Sequence, residues 1–296
     1  MFRPSRTWVP LIAVPLLFVA ACAPERAADT ADDHSAESPS EFTEAISCAI
    51  QDLQLVEPGK LTIATDSPAY APWFSDDDPT NGKGFESALS YALADEFGFA
   101  KEDVVWVKVP FNNSYKPGKK KFDFDINQIS ITPERAAVVD FSVGYYSATQ
   151  AVIALKGSAG AQATSLADLK GLRLGAQTGT TSLTAIREVI APDAEPQVFG
   201  DTNNAKSALQ NDQVDAILAD LPTAFYITAV EIPRSTIVGQ FQAESGEQEE
   251  FGLLMEKGNQ LKTCVDFYLE LMKDDGTLAR LEKEWLSDSV GVPELQ

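Results

Sequence analysis

The chain alternates between short β-branched runs and longer segments with apolar residues at helical spacing, and this alternation restricts its fold more than any other feature. Residues 60–65 (KLTIAT) and 104–109 (VVWVKV) read as strands. Between them, Pro68, Pro72, Pro79, Gly82 and Gly84 mark a long loop. Phe85, Leu89, Leu93 and Phe97 then fall about one helical turn apart, with Gly98 where a C-terminal cap belongs. Further strands are expected at 122–126, 172–176, 214–219 and 251–255, and helices over 180–190, from Pro222 onward, over 260–272 and over 278–286. Strands that alternate with helices imply crossover connections, hence an α/β fold of parallel-rich sheets flanked by helices.

The first 45 residues stand outside this pattern. MFRPSR carries Arg3 and Arg6, the apolar run TWVPLIAVPLLFVA follows, and Val19-Ala20-Ala21 precedes Cys22. That layout is an export signal rather than a membrane-spanning helix. Small residues before a cysteine resemble the lipobox of bacterial lipoproteins, so residues 1–21 are expected to be removed and Cys22 acylated. Plain secretion, with Cys22 in the discarded peptide, is the other reading. Residues 22–45 are expected to form a disordered acidic tether, since between 23 and 45 seven carboxylates face the single Arg26. The tether also holds His34, the only histidine, so a folded site has no histidine base or ligand.

A formal charge of −21 opposes binding to nucleic acid and anionic head groups, which leaves the lipid as the membrane contact. With Cys22 assigned to lipid, Cys48 and Cys264 remain in an exported protein, where they are expected to pair as a disulfide. Two buried thiols are the alternative.

Three motifs carry chemistry. In ISITPER, residues 129–135, Ser130 and Thr132 lie near a strand end, Pro133 begins a helix, and Arg135 turns back across the strand ends, where open α/β sheets bind ligands. A guanidinium matches a carboxylate or phosphate with two parallel hydrogen bonds. A structural pair with Asp140 explains it equally well. GAQTGTT, residues 175–181, is a strand-to-helix turn whose amides attract anions. It is no phosphate-cradling P-loop, because Thr180 stands where lysine is required, and an ordinary helix cap also accounts for it. Asp220 ends VDAILAD before Leu221-Pro222, either as a helix N-cap or as a carboxylate for a cation. An arginine, amide donors and a carboxylate together match both poles of an α-amino acid.

Taken in order, GFESAL, ISITPER with VDFSVGYY, SLADLKGLRLGAQTGTTS, QVDAILAD and DDGTLARLEKEW resemble the signatures of bacterial extracellular solute-binding proteins of family 3, the polar amino acid receptors of ABC importers. The resemblance implies a type II periplasmic-binding-protein-like fold. Its lobes are residues 46–149 with 250–296, and residues 150–249, joined by two crossover strands around a cleft. It implies an extracytoplasmic monomer that captures a polar α-amino acid and delivers it to an ABC permease, with no catalytic residue, cofactor or metal. A lyase or dehydratase on the same fold and a ligand-sensing module are the alternatives.

The resemblance sets Arg135 on the ligand α-carboxylate, with Ser130 beside it, Thr180 and Thr181 approaching from the other lobe, and Asp220 on the α-ammonium. Tyr70 and Trp73 match the family's aromatic wall, Phe111 is placed with them, and Asp66 matches a position that in some members reaches the ligand side chain. The chain departs from the pattern after Phe111, where Pro117 and Gly118 interrupt a helix that the family often has. Gln128 stands where a small residue is common, and its amide either fills part of the pocket or hydrogen-bonds the ligand. Asp125 is read as a member of a buried network rather than a partner for a cationic side chain. Lys119, Lys120 and Lys121 are read as a solvated basic run, with contact to a permease as the alternative.

Overall fold

A computed structural model describes residues 47–242, 248–286 and 291–296; the export signal, Cys22, the tether and His34 lie outside them. Helix Phe85–Phe97 shows how the sequence pattern becomes structure. Phe85, Leu89, Leu93 and Phe97 are buried in the first core, and each leucine removed from water contributes about 1.5–3 kcal/mol. The preceding loop fixes the helix start, because the N–H groups of Phe85 and Glu86 donate to the carbonyls of Pro72 (3.1 Å) and Trp73 (3.0 Å). Gly84, at φ +92°, leaves no room for a β-carbon against the Trp73 and Phe74 backbone, and Gly98 ends the helix in the left-handed conformation.

Two five-stranded sheets organise the described residues. The first runs Val104–Lys108, Leu61–Thr65, Phe124–Asp125, Leu254–Met255, Asp140–Phe141. Its first three strands are parallel, and Leu254–Met255 is antiparallel to both neighbours. The second runs Ser235–Phe241, Gln150–Leu155, Ala216–Asp220, Leu174–Gln177, Gln197–Phe199. Leu174–Gln177 is parallel to both its neighbours, whereas Gln150–Leu155 is antiparallel to both of its own. Val152 and Ala154 enter one core of this sheet and Ala151, Ile153 and Leu155 the other, so the strand is apolar on both faces and shows no simple alternation.

Tyr146–Ala148 pairs antiparallel with Glu249–Phe251, and this ribbon carries the chain from the first sheet to the second and back. The expected helix over 180–190 divides into Thr181–Ala185 and a π-helical turn, Ile186–Ile190. Residues 291–296, grouped with the first lobe on sequence grounds, pack on the second. Gln240 N–H donates to Pro293 O (2.8 Å), Leu295 N–H to Gln240 O (2.9 Å), and Leu295 is buried in a core of the second sheet.

Cys48 and Cys264 form a disulfide that ties the start of the described chain to helix Leu261–Asp274. Closing so long a loop restricts the unfolded chain, so replacing both cysteines by serine is expected to lower the unfolding free energy by about 2–5 kcal/mol in denaturant titration. No change would show that the bridge leaves the unfolded ensemble unconstrained.

Candidate functional site

The carboxyl ends of the strands of both sheets converge on one cavity of about 60 Å³. The first lobe contributes Asp66, Tyr70, Phe111, Gln128 and Ser130; the second contributes Thr180, Thr181 and Asp220. Eight of the ten residues expected at the ligand therefore meet here, as strand-end placement demands. Asn127, Gln177, Ser182 and Thr223 also line the cavity and were not singled out by sequence.

Trp73 is the first correction. It is fully buried rather than part of the wall, packed edge-on against Phe85, Tyr146 and Phe251. Its indole N–H donates across the lobes to the Thr223 hydroxyl at 2.8 Å. The Trp73 backbone packs closely on the helix start at Gly84, and the ring fills the space among these aromatic side chains.

Arg135 is the second residue set apart. Thr132 caps the short helix Pro133–Ala136, its hydroxyl accepting from Arg135 N–H at 3.3 Å. From there the guanidinium donates to Ser130 O (2.7 Å) and, across the lobes, to Gly179 O (2.9 Å), with its carbon 5.5 and 5.0 Å from the Phe111 and Tyr115 ring centroids. It opens onto a neighbouring cavity of about 440 Å³ that shares Thr180 and Thr181 with the first. The structural alternative, a pair with Asp140, does not form; Asp140 binds Lys257 at 2.8 Å. Burial lowers the Arg135 pKa, while Tyr115, Glu249 and Asp220 oppose that shift.

Asp220 resolves between its two readings. Its side chain makes no cap to helix Leu221–Tyr226 and instead accepts from Gln150 Nε2 at 3.0 Å. The same Gln150 nitrogen donates to Glu249 at 3.0 Å, and Ser130 Oγ donates to the other oxygen of Glu249 at 2.5 Å. Burial holds the Asp220 carboxyl well above the usual range, Glu249 pushes it further, and the Gln150 hydrogen bond opposes both. Two carboxyls bridged by one amide repel each other unless a proton or a cation joins them. Glu249 and Gln150 were not legible as site residues, since one lies in an acidic run and the other in a strand.

The remaining expected residues have specific roles in the fold. Thr180 caps its helix, accepting from Leu183 N–H at 3.2 Å and donating to Gln177 O at 2.8 Å, while Thr181 Oγ1 lies 3.3 Å from Ser130 Oγ across the lobes. Asp66 accepts the N–H groups of Ser67 (2.6 Å) and Phe111 (3.1 Å). The Tyr70 ring faces Lys206 Nζ at 5.4 Å, and burial together with Asp201 pushes its hydroxyl up to about 12. Gln128 sits at φ +47° and is held from behind by Glu86.

Two further expectations concern residues that line neither cavity. Asp125 is fully buried, accepts from Ser114 Oγ, and is pushed up to about 7 by burial, which fits the network reading. Lys120 corrects the solvated basic run: it is buried, and its ammonium donates to the carbonyls of Ser114 (2.5 Å) and Lys116. The Ser114 carbonyl ends the short helix Phe111–Ser114 and the Lys116 carbonyl lies in the turn beyond it, after which Pro117 and Gly118 continue as loop. Lys119 and Lys121 are exposed.

Comparison with known proteins agrees with this architecture. The model of bacterial extracellular solute-binding proteins, family 3, matches residues 61–288. A probable histidine-binding protein of Campylobacter jejuni is 30% identical over 224 residues, which is 74% of this chain and 82% of that protein. Among solved structures, an ancestral arginine-binding protein bound to glutamine superposes with a TM-score of 0.65 at 30% identity, covering 77% of this chain and 98% of the other. The ancestral amino acid-binding protein AncCDT-1, a precursor of cyclohexadienyl dehydratase, gives 0.64 at 31% identity, covering 77% and 95%. With both lobes and most of its length matched, the chain belongs to the bacterial extracellular solute-binding proteins of family 3.

Proposed function

We propose that the protein is an extracytoplasmic receptor, anchored by a lipid on Cys22, that captures a polar α-amino acid as a monomer and delivers it to an ABC permease. The observation that carries this reading is Asp220, which lines the cavity between the two lobes and is joined to a second acid, Glu249, through the Gln150 amide. An α-ammonium entering there replaces the missing positive charge and makes charge-assisted hydrogen bonds to Asp220. The α-carboxylate then faces Thr180 and Thr181, the wall beyond which Arg135 keeps donors free of the two carbonyls it already serves. Asp66, Tyr70, Phe111 and Gln128 surround the side chain, and no bond in the ligand is made or broken.

Closure follows from the same contacts. The ribbon of Tyr146–Ala148 and Glu249–Phe251 is the hinge, and Trp73 with Thr223, Ser130 with Thr181 and Arg135 with Gly179 are the closed-state contacts. A ligand stabilises closure to the extent that it binds the closed arrangement more tightly than the open one. No helix among the described residues is long and apolar enough to cross a membrane.

Two outcomes are expected. In calorimetry against a panel of L-amino acids, Asp220→Asn weakens binding on the order of a hundredfold and Arg135→Ala on the order of tenfold; affinities unchanged in both variants would remove the proposed anchors. Gly179, at φ +74°, holds a conformation that a residue with a side chain seldom adopts, and a β-carbon there would displace the Asn112 side chain and the Tyr115 hydroxyl that pack on it from the other lobe. Small-angle scattering of Gly179→Ala at saturating amino acid should therefore retain the wider profile of an open hinge while the wild type contracts. Equal contraction in both would show that closure does not use this contact.

A further inference from the structure

Gln128 lines the cavity yet holds a backbone conformation, φ +47°, that a residue with a side chain seldom adopts. What keeps it there is Glu86, which is fully buried in helix Phe85–Phe97. One carboxylate oxygen of Glu86 accepts the Gln128 backbone N–H at 2.7 Å and also the Tyr145 hydroxyl; the other accepts the Gln128 side-chain nitrogen. The Gln128 amide is thus gripped at backbone and tip by one carboxylate. Its nitrogen is committed to Glu86, and its oxygen has no partner among the described residues.

We infer that Gln128 reads the side chain of the ligand, and that Glu86 acts behind it as a positioning residue by fixing which end of the Gln128 amide faces the cleft. This rests on the receptor reading above and deepens it by naming the side-chain class. With the nitrogen turned to Glu86, the cleft is offered a carbonyl oxygen, so the selected amino acid carries an N–H donor at the far end of its side chain, as in an amide, a urea or a guanidinium. A site that presents a fixed acceptor rejects an analogue that puts an oxygen or a methyl there, because the acceptor is then left buried and unpaired.

The orientation depends on the charge of Glu86. As a carboxylate, its second oxygen can only accept, which selects the amide nitrogen; as a carboxylic acid, that oxygen donates and selects the amide oxygen. Burial raises the Glu86 carboxyl to about 7 against the opposing hydrogen bonds of Tyr145 and Gln128. The titratable groups facing Glu86 are Tyr145, Asp125 and Asp220, none of them cationic, so no ion pair holds the carboxylate charged. Below that range the amide turns and shows its nitrogen to the cleft; above it, the oxygen faces the ligand.

The test is a pair of neutral probes, L-glutamine and L-glutamic acid γ-methyl ester, which share a carbonyl and differ in an amide nitrogen against a methoxy group. Neither carries net side-chain charge, so long-range electrostatics cancels in their ratio. Calorimetry at pH 8.5 should show the wild type preferring glutamine on the order of tenfold or more. The preference should fall toward one as the pH drops to 5.5. Glu86→Gln, which keeps the shape and can donate to the Gln128 oxygen, should hold the ratio near one at every pH. Gln128→Met removes both ends of the amide and should bring the ratio of the two probes to near one.

A wild-type ratio near one at pH 8.5, or a preference that neither pH nor Glu86→Gln alters, would overturn the inference and leave the receptor reading intact. A wild-type protein that binds no α-amino acid would overturn that reading, and this inference with it. Should Glu86→Gln fail to fold, the wild-type pH series and Gln128→Met still decide the question.

Discussion

A carboxylate removed from water loses several kcal/mol of hydration, and a second carboxylate beside it raises that cost. Asp220 is in this position, with the half-buried Glu249 beside it and one glutamine amide, one serine hydroxyl and the more distant Arg135 to offset the charge. Nothing in the fold of the second sheet requires the pair. Asp220 does not cap the helix it precedes, and Gln150 opposite it in the sheet spends its own amide on holding the two acids in place. The arrangement is costly for the isolated protein and favourable for a cationic group that enters, which is how a binding site differs from a structural ion pair.

In the proposed receptor, the lobes would translate that local imbalance into a change of shape. Each sheet has its own core, so each lobe can move as a body about the ribbon at Tyr146–Ala148 and Glu249–Phe251. Among the described residues the contacts across the cleft include three polar pairs, an indole with a threonine, a serine with a threonine and a guanidinium with a carbonyl, beside Lys206 facing the Tyr70 ring. Such contacts contribute only modest net stability, about 0.5–1.5 kcal/mol each for neutral pairs, so the closed arrangement is easily biased by a ligand that touches both sides. Glu249 is notable because it sits on the hinge itself, placing one of the two acids on the element that bends.

Much of this was legible in the sequence where the cause is local. The Thr132-Pro133 helix start, the Gly98 cap and the apolar faces of Phe85–Phe97 and Leu261–Asp274 follow from short-range rules, and the structure reproduces them. The positions of Ser130 and Asp220 follow from strand ends, which an α/β sheet brings together, whereas those of Asp66 and Thr181 rest on the family resemblance. What escaped was set by register and distance. Gln150 meets Asp220 only because the two strands pair antiparallel at that residue, and Glu249 meets Ser130 across 119 positions of sequence. The burial of Trp73 is set by aromatic partners as distant in sequence as Tyr146 and Phe251, and that of Lys120 by carbonyls that the turn after Phe111 leaves for a lysine to satisfy. The C-terminal residues went to the wrong lobe because their partner is the edge strand Ser235–Phe241, which the sequence pattern did not reveal.

The most direct test of the central claim is a crystal structure of the protein with the tightest-binding L-amino acid from a calorimetric screen. The account predicts the ligand ammonium within hydrogen-bonding distance of Asp220 and its carboxylate against Thr180 and Thr181 on the side of Arg135. An amino acid held by one lobe alone, or seated with its ammonium away from Asp220, would contradict it.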